Sequence, residues 1–352
     1  MPKFKVDSYD KKHRQNLTRL AMVIKQLFSE YTTKIAVIGA TGTLDSRYWF
    51  LFENDKVMNK RVDEAMEQLH DDIIRTTEEA QFKSVDLSVE KCEAMIDYYG
   101  ARTLLEIRRG ISPRSFEALE AFQRRKTNGM NLSDRVWNIT TQFKQELELA
   151  LECGISDGIP AMKMARELRM YLNEPNKLFR RVRDKETGLL RLSKNAEAYH
   201  PGQGVYRSSA RNAQRLAVTE TNMAYRESDH ANWKQFDFVL GIKVQTSQSN
   251  HKIADICDEL AGVYPPTFKF VGWHPFCRCH AVPIMKTREE MMADDDRILR
   301  GEAPLPSKNE IKQLPENYVR WIQNNAERLE RLEKRGKLPY FVKENNSMKL
   351  LK

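Results

Sequence analysis

The sequence predicts an α+β protein that is predominantly helical: long N-terminal helices, then a small α+β domain with a short antiparallel sheet, then a helical C-terminal tail. Three observations carry this. Apolar residues recur at three- and four-residue spacing through much of the chain, whereas β-forming residues gather only near 238–245 and 280–285. Gly and Pro are few, 15 and 13 in 352 residues, which leaves long stretches free to stay helical. With 41% hydrophobic and 30% charged residues, the chain carries enough apolar material to build a core.

Taken in order, Leu17, Leu20, Ile24, Leu27 and Tyr31 line one face of a helix within residues 9–40. Val62, Met66, Leu69 and Ile73 line a second, and a third is expected over 85–105, ending before Gly110 and Pro113. A fourth has Ser133 as N-cap, Val136, Ile139, Phe143, Leu147 and Ala150 on one face, and Gly154 just past its end. The next starts near Asp157, with Pro160 in its first turn, and stops before Pro175. Residues 176–204 are basic and irregular and read as a linker or exposed arm.

From Ser208 to Phe236 a long helix places Ala213, Ala217, Glu220, Ala224 and Ala231 on one stripe, small residues suited to close packing. FVLGIKVQ, residues 238–245, is the clearest strand; a short helix at 253–260 and a second strand at 280–285 complete a small α+β unit. The tail begins acidic at Asp294, Asp295 and Asp296, passes through GEAPLP, and holds one more helix between Pro315 and Gly336. Val319, Ile322, Ala326 and Leu329 form its apolar face. The expected partition is an N-terminal helical region (1–130), a middle domain (131–285), and a C-terminal tail with a docking helix (286–352).

Lys and Arg number 58 against 49 Asp and Glu, a net charge of +9, which favours an anionic partner such as DNA or an acidic protein surface. The same charges also suit solvated helix faces. No stretch approaches the roughly 18 uninterrupted apolar residues of a membrane span, and Met1-Pro2-Lys3-Phe4 opens into polar residues without a signal-peptide core. The expectation is a protein that stays in the cytoplasm where it is made. There, five cysteines (Cys92, Cys153, Cys257, Cys277, Cys279) are not expected to form a disulfide framework.

Thiols and imidazoles crowd into one window, HKIADICDELAGVYPPTFKFVGWHPFCRCHAVPI, which holds His251, Asp255, Cys257, His274, Cys277, Cys279 and His280. Thiolate and neutral imidazole suit tetrahedral zinc, and His251, Cys257, Cys277 and Cys279 are the candidate set for a structural ion. The spacing, H-x5-C followed by C-x-C, is not that of a standard zinc finger. Alternatively, Cys257 and Cys277 are small buried hydrophobes, with His251 and His274 hydrogen-bonded to backbone. A Cys–His nucleophile is a third reading, but no further cysteine-protease signature surrounds these thiols.

One order of elements spans residues 130–285: a helix SARNAQRLAVTETNMAYRE, Trp233, the strand GIKVQTS, a His, a D-x-C-D-x-L-x-G turn, and W-H-P-F-C-R-C before a short strand. This resembles the phage Mu F-like head morphogenesis domain, whose members end in H-P-x-C-R-C. Arg211, Arg215, Thr219 and Glu220 match the family helix. Asp255, Gly262, His274, Pro275 and Arg278 match the closing motif, together with His251, Cys257, Cys277 and Cys279.

The sequence departs from the pattern at Ala254, where many relatives carry a second cysteine; this leaves His251 as the substitute ligand. The resemblance implies a minor head protein of a bacteriophage or prophage, portal-associated during procapsid assembly and found in the virion. Its partners would be portal and head proteins and double-stranded DNA, with neither membrane nor small-molecule substrate, and it would not be an enzyme. The alternatives are a Cys/His-dependent hydrolase or nucleotide-modifying enzyme, and a free-standing nucleic-acid-binding protein. Glu220, mid-helix, is expected either to pair with arginines on the helix surface or to reach Arg278 and clamp the closing loop.

Overall fold

Long helices arise where the three-and-four apolar spacing runs unbroken, and in the computed structural model they dominate the chain. The structure describes residues 6–39, 50–99, 105–156, 160–173, 181–184, 186–192, 208–246 and 255–351. The helices are α1 (Val6–Gly39), α2 (Lys56–Tyr99), α3 (Leu105–Arg124), α4 (Leu132–Ser156) and α5 (Ala161–Asn173). A hairpin of β1 (Arg181–Arg183) and β2 (Leu190–Leu192) follows, then α6 (Ser209–Trp233). Next come β3 (Val239–Gln245), α7 (Ile256–Glu259), β4 (Gly262–Tyr264) and β5 (His280–Met285). The tail holds α8 (Arg288–Leu299), α9 (Glu316–Asn324), α10 (Ala326–Lys334) and α11 (Tyr340–Glu344). The predicted class, α+β and predominantly helical, is the observed one. Among the described residues no helix is long and apolar enough to cross a membrane.

The chain forms two compact units. The first comprises Met1–Leu17, Glu79–Gly129 and Thr219–Lys352; the second comprises Thr18–Glu78 and Met130–Val218. In the second unit, Ile24, Phe28 and Ile35 of α1, Val62, Leu69 and Ile73 of α2, and Val136, Phe143 and Leu147 of α4 are buried, with Phe28 set edge-on to Phe143 at 4.9 Å. In the first unit, β3 is the central strand of an antiparallel sheet ordered β4-β3-β5, with Ile242 opposite both Tyr264 and Pro283. Pro283 lacks an amide, and its place on an edge strand leaves the ladder intact. An aromatic cluster backs this sheet: Tyr264 lies 4.3 Å from Phe268, Trp273 5.2 Å from Phe341, and Tyr318 donates or accepts at Ser347 Oγ, 2.6 Å away. Ile322 and Leu329 of the tail helices are buried in the same core.

Several sequence expectations need correction. The segments at 62–73 and 85–99 are one 44-residue helix, because no Gly or Pro interrupts Lys56–Tyr99. Gly110 and Pro113 lie inside α3; Pro113 is on the exposed side, while Ile111 and Ser115 are fully buried, so tertiary burial outweighs the local break. Asn131, not Ser133, caps α4: its Oδ1 accepts from the Asp134 amide at 2.8 Å, and Asp134 returns the favour to the Asn131 amide. Gly154 lies within α4, which runs to Ser156. The expected helix start at Asp157 lies outside the described residues, and α5 begins at Ala161, with the Lys163 and Met164 amides bonded to the Pro160 carbonyl.

The basic stretch contains the β1–β2 hairpin, turned at Asp184, whose carboxylate accepts from the Glu186 and Thr187 amides. The expected single tail helix breaks at Asn325 into α9 and α10, and the acidic segment is itself helix α8, with Asp294 buried against Lys286 at 2.6 Å.

Candidate metal centre

Asp255 places the first thiol. It caps the short helix α7, accepting from the Cys257 amide at 2.8 Å while Asp258 completes a capping box, and so fixes Cys257 at the helix start. The other two thiols come from the W-H-P-F-C-R-C turn. That turn bends sharply: Phe276 has φ +61°, and Gly272 has φ +105°. A Cβ at position 272 would meet Arg226 Nη1 at 2.3 Å, so only glycine lets the guanidinium approach.

Cys257, Cys277 and Cys279 are all buried, and their sulfurs lie within 4.8 Å of one another, a cluster that fits a metal ion. Cys257 Sγ is 3.9 Å from Cys277 Sγ and 3.0 Å from His274 Nε2. His274 Nδ1 lies 2.7 Å from the Pro275 carbonyl, so Nδ1 carries the proton and Nε2 presents its lone pair to Cys257. Asp255 Oδ2 stands 3.8 Å from the same Nε2. The Cys277 thiol is pulled well below the ordinary thiol range, first by hydrogen bonds from Cys257 and Cys279 and then by Arg226. Cys257 and Cys279 are pushed the opposite way, Cys257 first by its hydrogen bonds to the other two thiols.

Helix α6 holds the turn from one side. Thr219 Oγ1 accepts from the Phe276 amide at 3.2 Å, and Asn222 Nδ2 donates to the Cys277 carbonyl at 2.7 Å. Arg226 donates to the carbonyls of Val271 (2.8 Å), Cys277 (3.1 Å) and Cys279 (2.5 Å), with its guanidinium over the Phe270 ring at 4.6 Å. Thr219, Asn222 and Arg226 follow helical spacing along one face. Sequence reasoning singled out Thr219 and missed Asn222 and Arg226, although that spacing was the signal.

The expected site residues fall out as follows. Cys257, Cys277, Cys279, Asp255, His274 and Pro275 are together. His251 and Ala254 lie outside the described residues. Gly262 opens β4 opposite Val244. Arg278 is exposed and lines a cavity. Arg211 and Arg215 belong to the second unit, where Arg211 reaches Gln214.

Glu220 is 1% exposed and its carboxylate meets Arg125 at 2.7 Å, so neither surface pairing nor a link to Arg278 describes it; the grip on the loop comes from its neighbours. Glu220→Ala strands Arg125, whose side chain is a quarter exposed, and should lower stability by about 2–3 kcal/mol. Thermal denaturation followed by circular dichroism checks this.

Beside the loop lies a buried charged network. Lys91 is fully buried, with Nζ 2.6 Å from Asp229, 2.8 Å from Tyr225 Oη and 3.5 Å from Asp10. Tyr225 donates to Asp10 at 2.8 Å. Burial works against the Lys91 charge, and the two carboxylates more than reverse it, raising its pKa. Burial pushes Asp229 up to about 6. His13 stacks on Tyr225 at 3.9 Å and bonds Asn222 through Nε2 at 3.0 Å, which ties the network to the Cys277 carbonyl. A cavity opens among Asp10, His13, Asn222, Arg226, Arg278 and Cys279.

Burial lowers His13 to about 3 and His230 to about 4. Both depressed histidines hold stability that is present above about 6.5 and lost as pH falls through their folded values. Asp229, raised from its ordinary value, acts oppositely, favouring the fold as pH falls from about 6 toward 4. Two histidines outweigh one carboxylate, so the melting temperature should fall between pH 6.5 and 4. His13→Gln should flatten that slope, which a pH series of thermal melts measures.

No family model matches this chain, and neither a curated protein nor a solved structure matches it.

Proposed function

We propose that the chain is a minor head protein of a bacteriophage or prophage, of the Mu F-like kind, acting as a structural component at the portal during procapsid assembly. In this reading Cys257, Cys277 and Cys279 hold a structural zinc ion. One observation supports it above others: the two sequence blocks that carry the family resemblance meet, with Thr219, Asn222 and Arg226 gripping the backbone of residues 271–279. Thiols that are buried and fastened by their own carbonyls suit a structural node better than a nucleophile open to substrate.

The sulfur geometry agrees with zinc. Zinc–sulfur bonds of roughly 2.3 Å set neighbouring sulfurs about 3.8 Å apart in a tetrahedron. Cys257 and Cys277 are 3.9 Å apart. His274 Nε2, 3.0 Å from Cys257 Sγ, groups with Cys257 and Asp255 and not with the other two thiols.

A chain with net charge +9 has DNA or an acidic portal surface as its natural contacts. Co-sedimentation with empty procapsids, lost when portal is absent, is the expected result. Recovery only from the unassembled fraction of the lysate overturns the assignment.

A further inference from the structure

The second unit carries a nucleophile, a base and an orienting carboxylate in hydrogen-bonded series, using none of the cysteine-site residues. Ser133 Oγ lies 2.9 Å from His70 Nε2, and His70 Nδ1 lies 2.9 Å from Asp71 Oδ1. An ionised carboxylate only accepts, so Nδ1 carries the proton and Nε2 is left as the lone pair that accepts from the serine hydroxyl. That is the order of roles in a Ser–His–Asp triad, which is recognised by geometry and not by sequence position. Trp137, one turn beyond Ser133, stacks on the imidazole at 4.4 Å and 15°, fixing the plane of the ring.

Ser133 owes this freedom to its neighbours. With Asn131 and Asp134 capping α4, its hydroxyl is not consumed as a cap. Leu132 and Ser133 open the helix, so their amides have no acceptor within it, and they stand at its positive end. Backbone amides beside a nucleophile are the donors an oxyanion needs.

We propose that Ser133, His70 and Asp71 form a hydrolytic site for neutral carboxylic esters. Ser133 Oγ attacks the ester carbonyl as its proton passes to His70 Nε2, and the carbonyl π pair moves onto oxygen. Collapse breaks the bond to the alkoxide, which takes that proton from Nε2. Water, deprotonated by the same nitrogen, then attacks the acyl-serine, releasing the carboxylic acid and restoring the serine. Trp137, 40% exposed, offers an apolar rest for the acyl group, and the exposed carboxylates of Asp71 and Asp134 repel anionic substrates. Asp71 is a positioning residue, 81% exposed, and Ser133 and His70 are the catalytic pair.

The test treats the full chain with a fluorophosphonate probe and with p-nitrophenyl acetate, and maps adducts by mass spectrometry. The expected result is a phosphonyl adduct on Ser133 and ester hydrolysis, both abolished in Ser133→Ala. Asp71→Asn should slow labelling about tenfold at an unchanged melting temperature, with Asp71→Glu restoring part of the rate. An unlabelled Ser133 in the folded chain, or Asp71→Asn labelling as fast as the parent, overturns the proposal.

Discussion

Treatment with a zinc chelator, or replacing Cys277 with serine, is expected to unfold the sheet-bearing unit. Structural zinc contributes roughly 10–16 kcal/mol in small domains, which equals or exceeds the net stability of a typical protein, about 5–15 kcal/mol. Cys277 is 2% exposed, and its carbonyl takes hydrogen bonds from both Asn222 and Arg226, so disorder at this residue spreads into α6. In the predicted outcome a zinc chelator and Cys277→Ser each remove the near-ultraviolet signal of Trp273 and the aromatic residues packed around it. Restoring zinc recovers it for the parent and not for the variant. A catalytic cysteine would behave otherwise: its serine variant would keep the fold and lose an activity.

Lys91→Met should produce the next largest loss, about 3–5 kcal/mol, because it leaves Asp10 and Asp229 buried without their cation. The methionine chain fills much of the same space, so cavity formation adds little. The loss should therefore be electrostatic and should shrink when Asp10→Asn and Asp229→Asn are added. A triple variant as unstable as Lys91→Met alone would place the cost in packing. Chemical denaturation of the parent, Lys91→Met and the triple variant at one pH separates the two.

The helices were legible because their apolar spacing is regular. Leu17, Leu20, Ile24 and Tyr31 face inward in α1 as the periodicity requires, and FVLGIKVQ forms the central strand. What escaped reading were features decided by burial. Lys91 and Glu220 sit among charged helix residues that look solvent-facing, and only their distant partners, 134 or more residues away for Tyr225 and Asp229 and 95 for Arg125, make them interior. Pro113 looked like a stop, yet α3 runs through it, with Pro113 on the exposed face and Ile111 and Ser115 buried. Strand β4 is three residues long, too short to show alternation.

Within the site the three thiols were readable as a set, since C-x-C and a preceding cysteine are visible by spacing. The bond from His274 to backbone was also among the readings, and it is present as Nδ1 to the Pro275 carbonyl; the approach of Nε2 to Cys257 was not readable. The contributions of Asn222 and Arg226 depended on knowing which face of α6 meets the loop.

Whether Cys257, Cys277 and Cys279 hold a structural metal ion is read from the zinc content of the purified chain. About one zinc ion per chain is expected, lost together with the native fold in Cys277→Ser. A well-folded chain without bound zinc, whose melting temperature ignores chelator, would contradict it.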